Sequence, residues 1–210
     1  MENFRTTHFM RENLSGRTED TMPGDVNDSD GDAGSPYDRE VRIRILDIQD
    51  RRPIGHEIQC ITEPSLHIVR SRIIDSDAIS TGDCIDLPSE VVGPMSEVRL
   101  KDLSGTAQQE LVSALSASIS ADKERHLSFY NSAGPMSLKF HSFQLLPGIG
   151  NSKAMQMVSL RGSSGWHEFE EIDESCGIES VRLLAERYVK EMEDVAQTPR
   201  LLDLLVRSEN

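Results

Sequence analysis

Between residues 41 and 103 apolar positions alternate with polar ones in five short runs, "VRIRILDI", "HEIQCIT", "LHIVRSRII", "DCIDL" and "SEVRLKDL", each rich in Ile, Val or Leu and bounded by Pro, Gly or Asp. A period of two sends alternate side chains to opposite faces of a pleated strand, so the pattern predicts five short strands. Five strands in about 60 residues predict a small closed or nearly closed β-barrel, OB-like in size. Beyond Lys101 the punctuation changes. Thr106 followed by Gln109 reads as a capping box, and Leu111, Val112, Leu115 and Ile119 then recur on one helical face. The helical region is expected to run, with a break near residues 120–122, through "KERHLSFYNSAG" to Gly134-Pro135. A second helix is expected over "MSLKFHSFQLL", then a turn, "PGIG", and a further helix over "NSKAMQMVSL". Downstream, Val181, Leu184, Ala185, Tyr188 and Met192 form an apolar stripe at helical spacing, and "RLLDLLV" fits a strand or a helix.

These patterns predict an α+β protein: a disordered acidic tail over residues 1–36, an OB-like barrel domain over 37–103, a helical domain with a helix-hairpin-helix over 104–196, and an extension over 197–210. The tail stretch "TEDTMPGDVNDSDGDAGS" offers almost nothing to bury, so ordering it would cost backbone entropy without return. Its "DVNDSDGD" resembles the start of a calcium loop but lacks the closing glutamate, and reads as solvated acidic chain.

Composition narrows the function. The net charge is -14, and 36 acids outnumber 22 bases. Such usage resembles that of proteins working at high salt, and an acidic partner-binding face would look the same. Cys60, Cys84 and Cys176 have neither metal-ligand spacing nor a disulfide framework, and the six histidines show no ligand spacing, so no metal or cofactor is expected. With no long apolar run and no apolar leader in the first residues, a cytoplasmic protein without membrane contact is expected.

The turn Gly148-Ile149-Gly150 runs against that overall charge. Its glycines allow a tight reversal and a close approach, Ile149 anchors it, and the helix beginning at Asn151 and Ser152 leaves amides unpaired where a phosphate oxygen can bind. From Arg125 through His167 there is no Asp or Glu, while Arg125, Lys139, Lys153 and Arg161 are all cationic. A positive island is what phosphate contact requires. Burial would also explain missing acids, with Phe140, Phe143, Met155 and Met157 as core. A second turn, Cys176-Gly177-Ile178, has Glu179 where the second glycine would stand and reads as a packing partner of the first.

Arg42 with Arg44, Arg70 with Arg72, and Arg99 with Lys101 sit two apart, so each pair shares a strand face, as a second backbone contact or as the wet side of a strand neutralised by nearby acids. No Phe, Tyr or Trp lies between Val41 and Lys101, so this region has no stacking platform for bases. No residue set has catalytic spacing: Glu168, Asp173, His141 and His167 read as ordinary polar side chains.

The segment "ERHLSFYNSAGPMSLKFHSFQLLPGIG" resembles the archaeal proteins grouped as domain of unknown function 655, through Glu124, Arg125, Phe129, Asn131, Ala133, Pro135, Leu138, Lys139, His141, Leu145, Leu146, Pro147, Gly148, Ile149 and Gly150. The resemblance extends more loosely from about Glu40 to Val206. It implies a small barrel followed by helix-hairpin-helix elements, a cytoplasmic protein usually described as a predicted RNA-binding protein, and no catalytic activity. Asn151 and Ser152 stand where that family commonly has lysines, which weakens each contact. The resulting expectation is a non-enzymatic binder of structured RNA. The alternatives are an adaptor docking its acidic surface on a basic ribosomal or transcription protein, and a DNA-binding accessory factor.

Overall fold

All five period-two runs form strands: β1 Arg42–Asp50, β2 His56–Glu63, β3 Ile68–Ile73, β4 Cys84–Asp86 and β5 Ser96–Glu97. The first three make an antiparallel meander in the register Arg42↔Glu63 and Gln59↔Arg70, and the short strands flank it in the order β4-β1-β2-β3-β5. This computed structural model describes residues 36–53, 55–73 and 79–207, which belong to one unit, Ser35–Asn210. The acidic tail and its calcium-loop-like stretch lie outside the described residues, apart from position 36.

Among the described residues the sheet is open, not the closed or nearly closed barrel expected: β4 and β5 are edge strands of three and two residues and do not pair with one another. The physical reason is where their apolar residues go. Ile79, Ile85, Leu87, Val92 and Met95 pack over the outer face of the sheet, against Tyr37, Ile43, Ile58, Cys60, Val69 and Ile73, and this small second core removes the need for closure.

On the other face Leu46, Ile61, Leu66 and Ile68 join the helices in the main core. The β1–β2 register shifts between Ile45 and Asp47, and both Ile45 and Leu46 are buried, which is how two successive residues of one strand face inward. Helix α1, Gly105–Ala121, lies between β1 and the long helix α5, Ser180–Glu193, and buries Ala107, Leu111, Ala114, Leu115, Ser118 and Ile119 along one stripe. Its cap is Ser104, two residues before the Thr106 expected: the Ser104 hydroxyl accepts from the Ala107 amide at 3.0 Å and donates to Asp47 at 2.6 Å, while the Gln59 side chain accepts the Ser104 amide at 2.9 Å. The cap is therefore tied to the sheet at the bulge, a contact the local sequence pattern does not show.

Helix α2, Lys123–Ser132, follows the predicted break. The helix expected over residues 136–146 is instead a β-hairpin, β6 Pro135–Ser137 and β7 Phe140–His141, followed by a 3-10 turn over Ser142–Leu145. Met136, Leu138 and Phe140 alternate with Ser137, Lys139 and His141, a period of two that the helical reading overlooked, and Pro135 cannot supply an interior helical amide. The chain then forms α3 Asn151–Arg161, α4 Phe169–Cys176, α5 and α6 Leu201–Leu205, which resolves the ambiguous "RLLDLLV" as helix. Phe129, Tyr130, Phe143, Trp166 and Phe169 build the centre of this half, with ring centroids 5.2 to 6.4 Å apart and mostly edge-on or tilted.

Candidate nucleic-acid interface

Leu146 closes the 3-10 turn, Pro147 halts it, and Gly148 adopts a φ of 75°, a conformation that strains any residue with a Cβ. Ile149 drops back into the main core between two exposed glycines. Gly150 caps α3 with its backbone alone: its carbonyl accepts from Ala154 at 2.9 Å, and no side chain caps the helix. The first turn of α3 holds no acid, and Asn151 and Ser152 are exposed. Nothing lies within 4 Å of a Cβ built on Gly148 or Gly150, so there is open space beside both glycines of the turn. Uncapped amides at the positive end of a helix are suited to bind an anion.

The second turn, joining α4 to α5, has its first helical amide filled from within. The Asp173 carboxylate accepts the Ser180 amide at 2.7 Å. Glu179 precedes α5, and Glu170, Glu171 and Glu174 stand exposed on α4. Two turns of similar outline therefore differ electrostatically: one is open, and the other is closed by its own carboxylate. The acid-rich sequence pointed to this difference, but the partner within it, Asp173, could be found only from the fold.

Most cations of the predicted island serve the protein itself. Lys153 donates to the Cys176 carbonyl and so ties α3 to the end of α4. Arg161 donates to the carbonyls of Tyr130, Asn131 and Ala133 at 3.0, 3.2 and 2.7 Å, closing the end of α2, and lies 5.6 Å from the centre of the Phe143 ring. Arg125 pairs with Asp122 at 2.8 Å and donates to the Val206 carbonyl at 3.2 Å. Lys139, exposed on the β-hairpin, makes no side-chain hydrogen bond or ion pair among the described residues. Of the aromatic and methionine residues that burial would have explained, Phe143 and Met157 are buried while Phe140 and Met155 are exposed.

The sheet arginines share one face but do not converge, because β2 separates β1 from β3. Arg42 and Arg44 both pair with Glu63 at 3.0 Å, and Arg44 also reaches Ser118 on α1 at 3.3 Å. Arg70 and Arg72 lie toward the other end of β2, beside Gln59 and Glu57, exposed and without an ion pair among the described residues. Arg99 pairs with Asp102 at 2.8 Å. Neutralisation by neighbouring acids thus accounts for the first pair and for Arg99, and leaves Arg70 and Arg72 available.

Two histidines, His126 and His141, are biased toward the neutral form. Burial lowers the pKa of His126 to about 4, and its Nδ1 lies 2.9 Å from the Tyr188 hydroxyl. His141 is lowered by burial and by Arg161, and its Nδ1 accepts the Phe143 amide at 3.2 Å. Burial pushes the Cys60 thiol up to about 12, which leaves it a poor nucleophile and metal ligand. Among the described residues no three His, Cys, Asp or Glu side chains are grouped to hold a metal ion, and no helix is long and apolar enough to cross a membrane.

A small antiparallel sheet backed by helices is a fold shared with known proteins. The chain belongs to the family described as "Protein of unknown function (DUF655)", whose model matches residues 49–201. It is similar to the uncharacterized protein MJ0038 of Methanocaldococcus jannaschii, 26% identical over 97 residues that cover 46% of this chain and 45% of that protein, less than half the relative's length. The crystal structure of Af1531 from Archaeoglobus fulgidus, of the same family, shares the fold with a TM-score of 0.69 at 21% identity, covering 78% of this chain and 99% of that one.

Proposed function

We propose that this protein is a non-enzymatic binder of structured RNA that grips the backbone at the start of α3. In this reading the 3-10 turn, residues 146–150 and α3 act as a helix-hairpin-helix whose first helix is cut to one short turn. The sheet, of OB-like size though open, presents Arg70 and Arg72 as a second contact. The observation that carries the reading is the start of α3, without a side-chain cap and with exposed residues at its first two positions, inside a stretch without acids. The choice of RNA over DNA follows the family resemblance, and competition between matched RNA and DNA duplexes decides it.

Because the contact is to phosphate, binding should weaken steeply with salt and discriminate little between sequences. The Gly150→Asp variant tests it. Gly150 has a φ of -84°, and a Cβ there meets nothing within 4 Å, so the variant folds. The new carboxylate caps α3 itself and repels phosphate, as Asp173 does at the second turn. RNA affinity measured by fluorescence anisotropy should fall at least tenfold with no loss of melting temperature. Unchanged affinity in the folded variant overturns the proposal.

One observation favours a second reading. Arg125, Lys153 and Arg161 are engaged internally, whereas Glu170, Glu171, Glu174 and Glu179 are exposed, as an adaptor docking on a basic protein requires. Such docking would persist after nuclease treatment and in Gly150→Asp, which separates the two.

A further inference from the structure

The β6–β7 hairpin combines a fixed base with an apolar end. At the base, the Ser142 amide and hydroxyl both donate to the Gly134 carbonyl, at 2.9 and 2.8 Å, and His141 is buried with its ring 4.8 Å from that of Phe143. Beyond the base, Met136 and Phe140 are exposed and Leu138, at 107% relative exposure, touches nothing. Nine large apolar side chains are exposed among the described residues, and five of them, Met136, Leu138, Phe140, Met155 and Leu160, fall on the hairpin and α3. Met136, Leu138 and Phe140 lie within five residues of one hairpin tied at its base, and local exposure of that kind marks a contact surface rather than scattered exposure.

Charge says which contact. The same stretch has no acid, and Lys139, between Leu138 and Phe140, keeps its ammonium group unpaired among the described residues. A polyanion with apolar flat faces complements it: the bases of an unpaired strand give the faces and its phosphates give the charge. A fully paired duplex hides its base faces, so this surface would have no use for one. Helix α3 packs against both β7 and the 3-10 turn, which keeps the hairpin in the same structural group as the open turn.

We propose that the β6–β7 hairpin is an apolar wedge that packs on unpaired bases at the end of an RNA duplex, with Leu138 and Phe140 against the bases and Lys139 on the adjacent phosphate. This rests on the backbone grip proposed for the start of α3 and adds the substrate class, a duplex bordered by single strand. Side chains of these types are used as wedges between bases where proteins open a stack.

The test compares a blunt RNA duplex with the same duplex carrying a short single-stranded overhang, by anisotropy at one salt concentration, for wild type, a Leu138→Ser/Phe140→Ser double variant, and Gly150→Asp. Wild type should favour the overhang roughly tenfold, from stacking against about one base. The double variant should lose that preference and keep blunt-duplex binding, while Gly150→Asp loses both. A fluorescent base in the overhang should report changed stacking with wild type only. Should the double variant fold poorly, Leu138→Ser alone, at a site touching nothing, carries the test with a smaller loss of preference. Equal preference in wild type and variant, or none in wild type, overturns the wedge and leaves the backbone grip standing. Failure of wild type to bind either RNA overturns both. A wild-type dimer that the double variant dissolves in sedimentation would overturn the wedge by assigning the hairpin to contact between copies.

Discussion

Asn131 shows how a single side chain can set the course of the backbone. Its amide nitrogen donates to the Trp166 carbonyl at 2.8 Å and its oxygen accepts the Trp166 amide at 2.9 Å, so one residue of α2 pins the loop between α3 and α4. The neighbouring Gly165 has a φ of 72°, and a Cβ there would stand 2.8 Å from the Asn131 oxygen. Gly165→Ala should therefore destabilise the fold by about 2–4 kcal/mol, the sum of backbone strain and a disturbed pair of hydrogen bonds, read as a lower urea midpoint at an unchanged slope. The same logic explains Arg161, and Arg125, which like Asn131 carries the family resemblance: each closes a helix end or pins a distant segment, and residue identity alone could not separate that role from a role on a ligand. Gly148, Ile149 and Gly150 were legible because a turn of that kind has few alternative sequences. Lys153 was not, since its carbonyl partner lies 23 positions away.

Among elements, α6 depends on a buried ion pair. Glu191, fully buried on α5, takes Arg187 at 2.6 Å and caps α6 through the amides of Leu201 and Leu202, both at 2.9 Å. Arg187 in turn donates to the Pro199 carbonyl at 2.7 Å. With every charged atom satisfied, the pair is tolerable; with one partner removed it is not. Glu191→Ala should cost about 3–5 kcal/mol in denaturant unfolding, and Glu191→Gln less, because the amide oxygen can keep one of the caps. The sequence shows Arg187 and Glu191 four apart on a helix, which reads as a surface pair; burial by α6 and the 3-10 turn changes its meaning. The β6–β7 segment illustrates the opposite error, where composition suggested a helix and the alternation of seven residues, with Pro135 at its start, outweighed it.

Across the whole molecule, α2 and α5 meet at His126 and Tyr188, and this joint makes stability depend on pH. The folded pKa of His126 is lowered to about 4, against about 6.5 when unfolded, chiefly through burial. Between those values the unfolded chain binds the extra proton, so stability rises with pH through that window and is lost as pH falls from 6.5 toward 4, by at most about 3 kcal/mol. Comparing wild type with His126→Gln by denaturant unfolding at pH 7 and pH 5 checks it: the variant should lose less on acidification. The strands, the helical stripes of α1 and α5, the open glycine turn and the acid-free window followed from the sequence, because each depends on spacing within a few residues of chain. Openness of the sheet, the internal use of Arg125, Lys153 and Arg161, and the self-filled second turn were decided by tertiary structure. Each of these turns on which distant group arrives opposite a given side chain, and a carbonyl or carboxylate brought close in space outcompetes solvent for a cation or an amide wherever it has already been desolvated.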